Sequence, residues 1–239
     1  MRFSKPLLKG VLVRRYKRFL ADVDLEDGRR ITAHTPNTGR MQGLCVPGSQ
    51  VFVSQHDNPK LKLPFTWELV RIGRRLVGVD PTRSNTLVAE ALDAGGVPEL
   101  QGYQQVKREV RWGASRLDFC LLGGHTDCFI EVKTATLQQG ASVLFPDGVS
   151  VRGQRHLEEL VDCCQAGHRA VLFFVVQRAD IATVGLADHI DPDYGRLFRE
   201  ALAEGVEAMA YGCRVNRRGI RLAHPLSVDL NDNAGFGKP

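Results

Sequence analysis

Apolar and polar positions alternate over short distances in the first 80 residues, and turn-forming residues separate the alternating runs. Alternation of this kind predicts β-strands. Five strands are predicted, over residues 11–25, 29–33, 50–54, 65–72 and 76–79. Five strands without a convincing helix indicate a small antiparallel barrel. An OB-type barrel fits best, because that fold combines a long first strand with a face that binds oligonucleotides.

From about residue 81 onward the pattern becomes that of an α/β protein. Ser84 and Asn85 are predicted to cap a short amphipathic helix over residues 86–94, which Gly95 and Gly96 end. The other predicted elements are strands over 106–112, 115–122 and 128–134, a helix over 152–165, a strand over 170–177, a helix over 194–203 and a strand over 206–215. This order favours a layered domain, so we expect two domains, of residues 1–80 and 81–239.

The most informative polar residues lie on the predicted hairpin of residues 115–134. If its turn is centred on residues 123–126, Asp118 lies directly opposite Glu131, with Cβ atoms about 5 Å apart. Lys133 lies on the same face of the strand as Glu131. Ile130 and Val132 point to the opposite face, into an apolar layer. Two carboxylates this close repel each other unless a cation or a proton lies between them. Together with a lysine they are typical of a site that binds Mg²⁺ and acts on a phosphodiester, although Glu-x-Lys also occurs by chance on solvated strands.

Composition narrows the class of protein. At 239 residues, with 43% hydrophobic and 25% charged residues, the chain resembles a soluble globular protein of one or two domains. No apolar run approaches the ~20 residues that span a bilayer, and no signal peptide is evident, so we expect a cytoplasmic protein. The six cysteines form no Cys-x-x-Cys pair, and we expect them to be reduced and structural.

Charge is unevenly distributed along the chain. Residues 1–80 contain 15 Lys or Arg against 7 Asp or Glu, whereas residues 81–239 contain 17 against 20. The predicted barrel therefore has a net charge of +8 and the rest of the chain one of −3, which together give the overall +5. This asymmetry predicts a module that binds a polyanion, next to a module that is close to neutral.

Candidate nucleic-acid contacts follow from this charge. Basic and aromatic side chains alternate along the first predicted strand, which suits phosphate contact combined with base stacking. The loop of residues 34–40 offers hydroxyls, an amide and a cation to a phosphate. The candidates are Arg14, Arg15, Tyr16, Lys17 and Arg18 in the strand, Thr35, Asn37 and Arg40 in the loop, and Lys60 and Lys62 on a basic rim. The alternative is that the strand faces are merely solvated and the loop is an ordinary turn.

Several longer strings resemble one protein family. They are VGVDP (77–81), AHTPNTGRM (33–41), KLP (62–64), TWELV (66–70), EVRWGASRLDF (109–119), IEVK (130–133) and FPDGVSVRGQRHL (145–157). With these strings the chain resembles the sugar fermentation stimulation protein A family over about residues 10–225. The order of elements in its second part also resembles the PD-(D/E)xK nuclease fold.

This resemblance implies a two-domain α/β (α+β) protein, with an N-terminal OB-like barrel followed by a restriction-endonuclease-like domain. It implies Asp118 and Glu131 as metal ligands and Lys133 as the cation beside the attacked phosphate. Glu90 matches the acid that the helix contributes in that fold, although the helix alone favours a surface residue. Weaker candidates for the cleft are Glu109, His156 and Gln177, of which the last two also suit polar positions at the edge of a core.

Three functions remain open from the sequence. The first is a DNA-binding protein that hydrolyses phosphodiesters with Mg²⁺ or Mn²⁺, and the pair of acids with a lysine favours it. The second is a non-catalytic, DNA-binding transcriptional regulator that uses the nuclease fold only for binding. The third is a sugar- or metabolite-binding regulator, which no feature of the sequence supports, because the family's name refers to a regulatory effect on sugar metabolism and implies no sugar site. The expected partner is DNA, with RNA left open, and nothing indicates a membrane partner or an oligomeric state.

Overall fold

A closed barrel forms the first part of the protein. The computed structural model describes residues 1–58 and 60–230. The barrel consists of β1 (Leu8–Tyr16), β2 (Leu20–Leu25), β3 (Arg30–His34), β4 (Gln50–Gln55) and β5 (Phe65–Ile72), and β6 (Arg75–Gly78) extends it. The strand order is β3-β2-β1-β4-β5-β6, and a β3–β5 pairing closes the ring. This is the OB fold that the sequence predicts. Its interior is apolar, with Trp67 and Val70 fully buried.

The predicted first strand is in fact two strands. The chain turns between β1 and β2, where Lys17 and Arg18 adopt positive φ angles of 49° and 67°. Turns of this kind usually contain Gly or Asn, because other side chains are strained in the left-handed region. No such residue marks this turn, so the alternating pattern continues across it without a break. Lys17 and Arg18 therefore lie at the tip of a hairpin and not on alternating strand faces.

The second part is an α/β domain built on one large sheet. Its elements are α1 (Thr82–Asp93), a 3₁₀ turn (Pro98–Leu100), β7 (Gln105–Trp112), β8 (Ser115–Leu122), β9 (Cys128–Thr134), β10 (Leu137–Gln139), β11 (Ser142–Phe145), α2 (Val151–Gln165), β12 (Arg169–Val176), β13 (Thr183–Leu186), α3 (Pro192–Ala203), β14 (Glu207–Asn216) and β15 (Gly219–Val228). The strand order is β10-β11-β13-β15-β14-β12-β9-β8-β7. In this order β9, β12 and β14 run parallel.

Apolar layers cover both faces of the sheet. Phe173 of the central strand β12 packs on the face that also holds Leu87 of α1. The next residue, Phe174, packs on the other face with Leu160 of α2 and Phe198 of α3. A strand that is buried on both faces reads as a continuous apolar run, as the sequence predicts for this segment. Among the described residues, no helix is long and apolar enough to cross a membrane.

The second domain differs from the prediction at its first helix and in four strands. Helix α1 begins at Thr82, not at residue 86, because Asp80 accepts hydrogen bonds from the Thr82 backbone N–H and hydroxyl at 2.8 and 2.6 Å. Ser84 and Asn85 therefore lie inside the helix and are free to contact the sheet. The strands that the pattern does not reveal are β10, β11, β13 and β15. Three of them are only three or four residues long, too short to show alternation.

The barrel and the second domain are joined by close polar contacts. Gly78 donates its backbone N–H to Gln177 at 2.8 Å, and a Cβ at Gly78 would lie 2.2 Å from the Gln177 Oε1. Arg83 of α1 binds the fully buried Glu68 of β5 at 2.6 Å and Asp80 at 3.2 Å. These contacts fix α1 against the end of the barrel.

Candidate functional site

The hairpin of β8 and β9 has the predicted register. Phe119 pairs with Ile130 and Leu121 with Cys128, so one step further outward Asp118 faces Glu131. The ladder ends there, because the Asp118 Oδ2 accepts the backbone N–H of Val132 at 2.7 Å. The two carboxylates therefore meet where the two strands begin to separate.

Asp118 is held from two sides. Its Oδ1 accepts a hydrogen bond from the Asn85 Nδ2 at 2.6 Å, and its Oδ2 binds the backbone of β9. Burial, followed by the charge of Glu131, raises the pKa of Asp118 to about 6 against the hydrogen bonds and the charge of Lys133. A pKa near 6 leaves this carboxyl ionised above neutral pH and protonated in mild acid. The charge of Glu131 is the second cause of this shift, after burial.

Glu131 lies at the centre of a buried polar cluster. It is 4% exposed, and its Oε1 accepts a hydrogen bond from the Lys133 Nζ at 2.6 Å and contacts the His156 Nδ1. Burial alone would raise the pKa of Glu131, but the His156 hydrogen bond and the Lys133 charge lower it below its usual value. Glu131 is therefore ionised. Its second oxygen, Oε2, is buried and has no hydrogen-bond partner among the residues that the structure describes.

Arg152 orients the His156 ring. The Arg152 Nε donates to the His156 Nε2 at 3.3 Å, so this nitrogen is an acceptor and the proton resides on Nδ1, where it faces Glu131. His156 is thus a hydrogen-bond donor to Glu131, buried on the α2 side of the site. The Nδ1 also lies 3.2 Å from the Lys133 Nζ, but the ammonium hydrogen bond goes to Glu131.

The donor set fits a divalent cation held by two carboxylates. A buried, ionised oxygen without a partner costs free energy that a cation would recover. Mg²⁺ commonly uses one or two carboxylates and fills its other positions with water and substrate phosphates. Asp118 and Glu131 supply such a pair. Over residues 1–58 and 60–230, no group of three or more His, Cys, Asp or Glu side chains is arranged to hold a metal.

Glu90 is placed away from this pair. Its side chain is 52% exposed and pairs with the amino group of Met1, on a different side of α1 from Asn85. Asn85 is the α1 residue that reaches the site. Sequence reasoning missed it because it assigned Asn85 to the helix cap, and it also missed Arg152.

The three weaker candidates have different surroundings. His156 lies in the site, as described. Glu109 is exposed on β7, in an irregular conformation with φ of 52°. Gln177 is 2% exposed, and its Nε2 donates to the backbone of Asp80 at 2.7 Å and to the Ser84 hydroxyl at 3.1 Å. Gln177 thus joins the domains and does not line a cleft.

The basic residues of the barrel divide into internal and free groups. Arg14 binds Asp22 at 2.8 Å and lies over the Tyr16 ring, 4.7 Å from its centre. Arg15 donates to the backbone oxygens of Asn37 and Gly39 at 2.8 and 2.9 Å, so it shapes the loop that follows β3. Among the basic residues predicted to contact nucleic acid, those whose side chains have no contact partner in the described part of the chain are Lys17, Arg18, Arg40, Lys60 and Lys62, all exposed.

The loop after β3 forms one wall of a cleft between the domains. Thr35 and Asn37 are buried, and the Asn37 side chain accepts the Gly39 N–H at 2.8 Å, so both residues support the loop. The cleft has a volume of about 740 Å³. Arg18 and Arg40 line it on the barrel side, and Thr134 and Ser150 line it on the other. Thr134 follows Lys133 on β9, but Asp118, Glu131 and Lys133 are not among the residues that line this cleft.

Comparisons with known proteins agree with this architecture. A family model described as "Sugar fermentation stimulation protein RE domain" matches residues 82–219, and one described as "SfsA N-terminal OB domain" matches residues 13–79. A sugar fermentation stimulation protein homolog of Geotalea uraniireducens is 51% identical over 231 residues, which cover 96% of this chain and 100% of the relative. A homolog of Geobacter sulfurreducens is 51% identical and covers 95% of this chain and 98% of the relative.

A solved structure matches over nearly the whole chain. It is that of Pyrococcus furiosus SfsA in complex with Ca²⁺. It superposes with a TM-score of 0.86 at 31% sequence identity and covers 96% of this chain and 98% of that one. Both domains and their relative placement are therefore shared with that protein.

Proposed function

Because the chain belongs to the sugar fermentation stimulation protein family, we propose that it binds DNA and hydrolyses phosphodiester bonds with the help of Mg²⁺ or Mn²⁺. The observation that carries the proposal is the pairing of Asp118 and Glu131 across β8 and β9 with Lys133 beside them, at a point where the second oxygen of Glu131 is buried without a partner among the described residues. A purely structural cluster gains nothing from two neighbouring carboxylates, because their like charges raise the cost of ionisation.

Asp118 and Glu131 would hold the divalent ion, which would polarise the phosphate and lower the pKa of a bound water. The complex of the Pyrococcus furiosus relative with Ca²⁺ supports a divalent ion in this family. Asn85 keeps Asp118 in place through its amide, and His156 does the same for Glu131. Both acids thus have an orientation that does not depend on substrate.

Lys133 supplies positive charge next to the acids. Its ammonium has three N–H groups, and Glu131 takes one of them. The side chain is 12% exposed, so the remaining N–H groups can meet a phosphate oxygen at the surface of the site. There the ammonium would offset the negative charge that develops as the phosphodiester is attacked.

Metal-dependent cleavage is the test of the proposed function. Purified protein at pH 8 is expected to nick supercoiled DNA or shorten linear or single-stranded DNA with Mg²⁺ or Mn²⁺, and to lose all activity in a chelator. The rate should fall as the pH drops below about 6, because protonated Asp118 no longer binds a cation. Gel electrophoresis of the three DNA forms, with RNA in parallel, measures this. Absence of cleavage of every substrate with either metal would contradict the proposal.

One observation favours the second candidate, a DNA-binding regulator without catalysis. In the described part of the chain the acidic pair has no third carboxylate beside it, since Glu90 is turned away. A pair alone binds a metal more weakly than three acids do. DNA binding that needs no metal, with no cleavage, would select this function.

The barrel side of the cleft is expected to bind the DNA backbone. Replacing both Arg18 and Arg40 with Gln should lower DNA affinity about tenfold and flatten its salt dependence, because each contact with a phosphate releases counterions. Fluorescence anisotropy at several salt concentrations measures both. The matched control is Arg29→Gln with Arg30→Gln, which removes the same charge from arginines already paired with carboxylates. Equal losses in the two double variants would rule out a specific role for the cleft.

A further inference from the structure

A second basic cavity, of about 440 Å³, lies beside the acidic pair. Arg111 and Arg116 line it from the hairpin of β7 and β8, and Arg152 and Arg155 line it from the first turns of α2. The cleft at the barrel reaches the start of α2 at Ser150, and this cavity reaches it at Arg152. The start of α2 therefore lies between two basic surfaces.

The arginines of this cavity are placed against one another. Arg111 and Arg116 pair directly across β7 and β8, where like charges repel. Neither of them, nor Arg155, has a carboxylate partner within residues 1–58 and 60–230. Glu109 is the one acid on the cavity wall, against four guanidinium groups. An arrangement that brings together this much unpaired charge is stabilised by an anion.

The cavity is connected to the acidic pair through a single side chain. His156 forms part of the cavity wall and contacts Glu131 through its Nδ1, while its Nε2 accepts the hydrogen bond from Arg152. An anion bound by the arginines thus lies one imidazole ring away from the Glu131 carboxylate. That separation suits a phosphate that neighbours the reacting one on the same nucleic-acid strand. The anion does not bind at Glu131 itself, because the negative carboxylate repels it.

We propose that this cavity binds a phosphate group of the nucleic-acid strand, adjacent to the phosphodiester that the acidic pair cleaves. The proposal rests on the proposed function and deepens it, because it gives the strand a path from the barrel cleft, across the start of α2, to the arginines. Guanidinium groups bind phosphate oxygens through paired hydrogen bonds, and several on one phosphate hold it in a defined position. The phosphate is either an internal diester or the monophosphate of a strand end.

Binding measured without cleavage tests this proposal. The triple variant Arg111→Gln, Arg116→Gln and Arg155→Gln is compared with wild type in a chelator, by anisotropy of labelled oligonucleotides. We expect a loss of affinity of about tenfold or more and a salt slope smaller by about one, the value for one phosphate contact. The control, Arg29→Gln, Arg30→Gln and Arg196→Gln, removes the same charge from exposed arginines that each hold a carboxylate.

Substrates with different ends identify the phosphate. If the triple variant loses affinity only for strands with a 5′- or 3′-phosphate, the cavity binds a strand end; an equal loss on hydroxyl-ended strands and closed circles assigns an internal diester. Wild-type affinity and salt slope in the triple variant, or a loss equal to that of the control, would overturn the proposal. Because no cleavage is measured, these results do not depend on whether the acidic pair is catalytic.

Discussion

Replacing Glu131 with Gln is expected to lower the rate of DNA cleavage by about 10³-fold or more, while DNA affinity in a chelator stays within a few-fold of wild type. The amide keeps the shape of the side chain but removes the negative charge that would attract the cation. It also leaves the Lys133 ammonium without its anionic partner. Loss of a charge that would hold the cation at the reacting phosphate costs more than loss of one neutral hydrogen bond.

The measurement separates metal binding from chemistry. Initial rates at saturating DNA are recorded over a range of Mn²⁺ concentrations, and calorimetric titration gives the affinity for Mn²⁺. The matched control is Glu159→Gln, a second buried glutamate of the same domain whose two oxygens have no partner within the described residues. We expect this control to cleave DNA normally. If Glu131→Gln retains wild-type activity, or if both variants lose it equally, the acidic pair is not the catalytic centre.

The hairpin of β8 and β9 shows how much of the site follows from sequence alone. Its register depends on a short polar turn between two apolar runs, and both signals are local. These two signals are sufficient to place Asp118, Glu131 and Lys133 beside one another. The position of His156 depends instead on how α2 packs across the sheet, so the sequence indicates this residue only as a weaker candidate.

Helix α1 illustrates why local pattern cannot supply the rest. Successive residues of a helix are about 100° apart, so Asn85 and Glu90 lie about 140° apart around the axis. They stand at opposite edges of the apolar arc that contains Leu87 and Val88. The arc determines which side of the helix is buried, but not which edge faces β8. Docking of α1 between the barrel and the sheet decides that, and it brings Asn85 to Asp118.

Charge counting has a similar limit in the barrel. Arg15 contributes to the basic character of residues 1–80, yet its guanidinium holds the loop after β3 through backbone oxygens. Arg14 is likewise paired, with Asp22. The count of charged residues correctly predicts a basic module. It cannot distinguish side chains whose charge stabilises the barrel from side chains that are available to bind a ligand. Arg18 and Arg40 belong to the second group because neither side chain forms an ion pair within the described residues, although Asp147 lines the same cleft.

Replacing Arg83 with Met is expected to lower the free energy of unfolding by about 3 kcal/mol, which is the range for breaking a buried ion pair from one side. Arg83 reaches from α1 to Glu68, whose side chain is fully buried in the barrel, and the variant leaves that carboxylate with Ser54 as its remaining hydrogen-bond partner among the described residues. Urea denaturation at pH 7.5 measures the loss. The double variant Arg83→Met with Glu68→Gln should recover part of it, because the Glu68 charge is then gone and Asp80 keeps its two hydrogen bonds from Thr82. A matched surface change, Arg196→Met, removes an exposed pair with Glu200 and should cost less than about 1 kcal/mol. A loss at Arg83 no larger than at Arg196, or no recovery in the double variant, would mean that this ion pair does not hold α1 to the barrel.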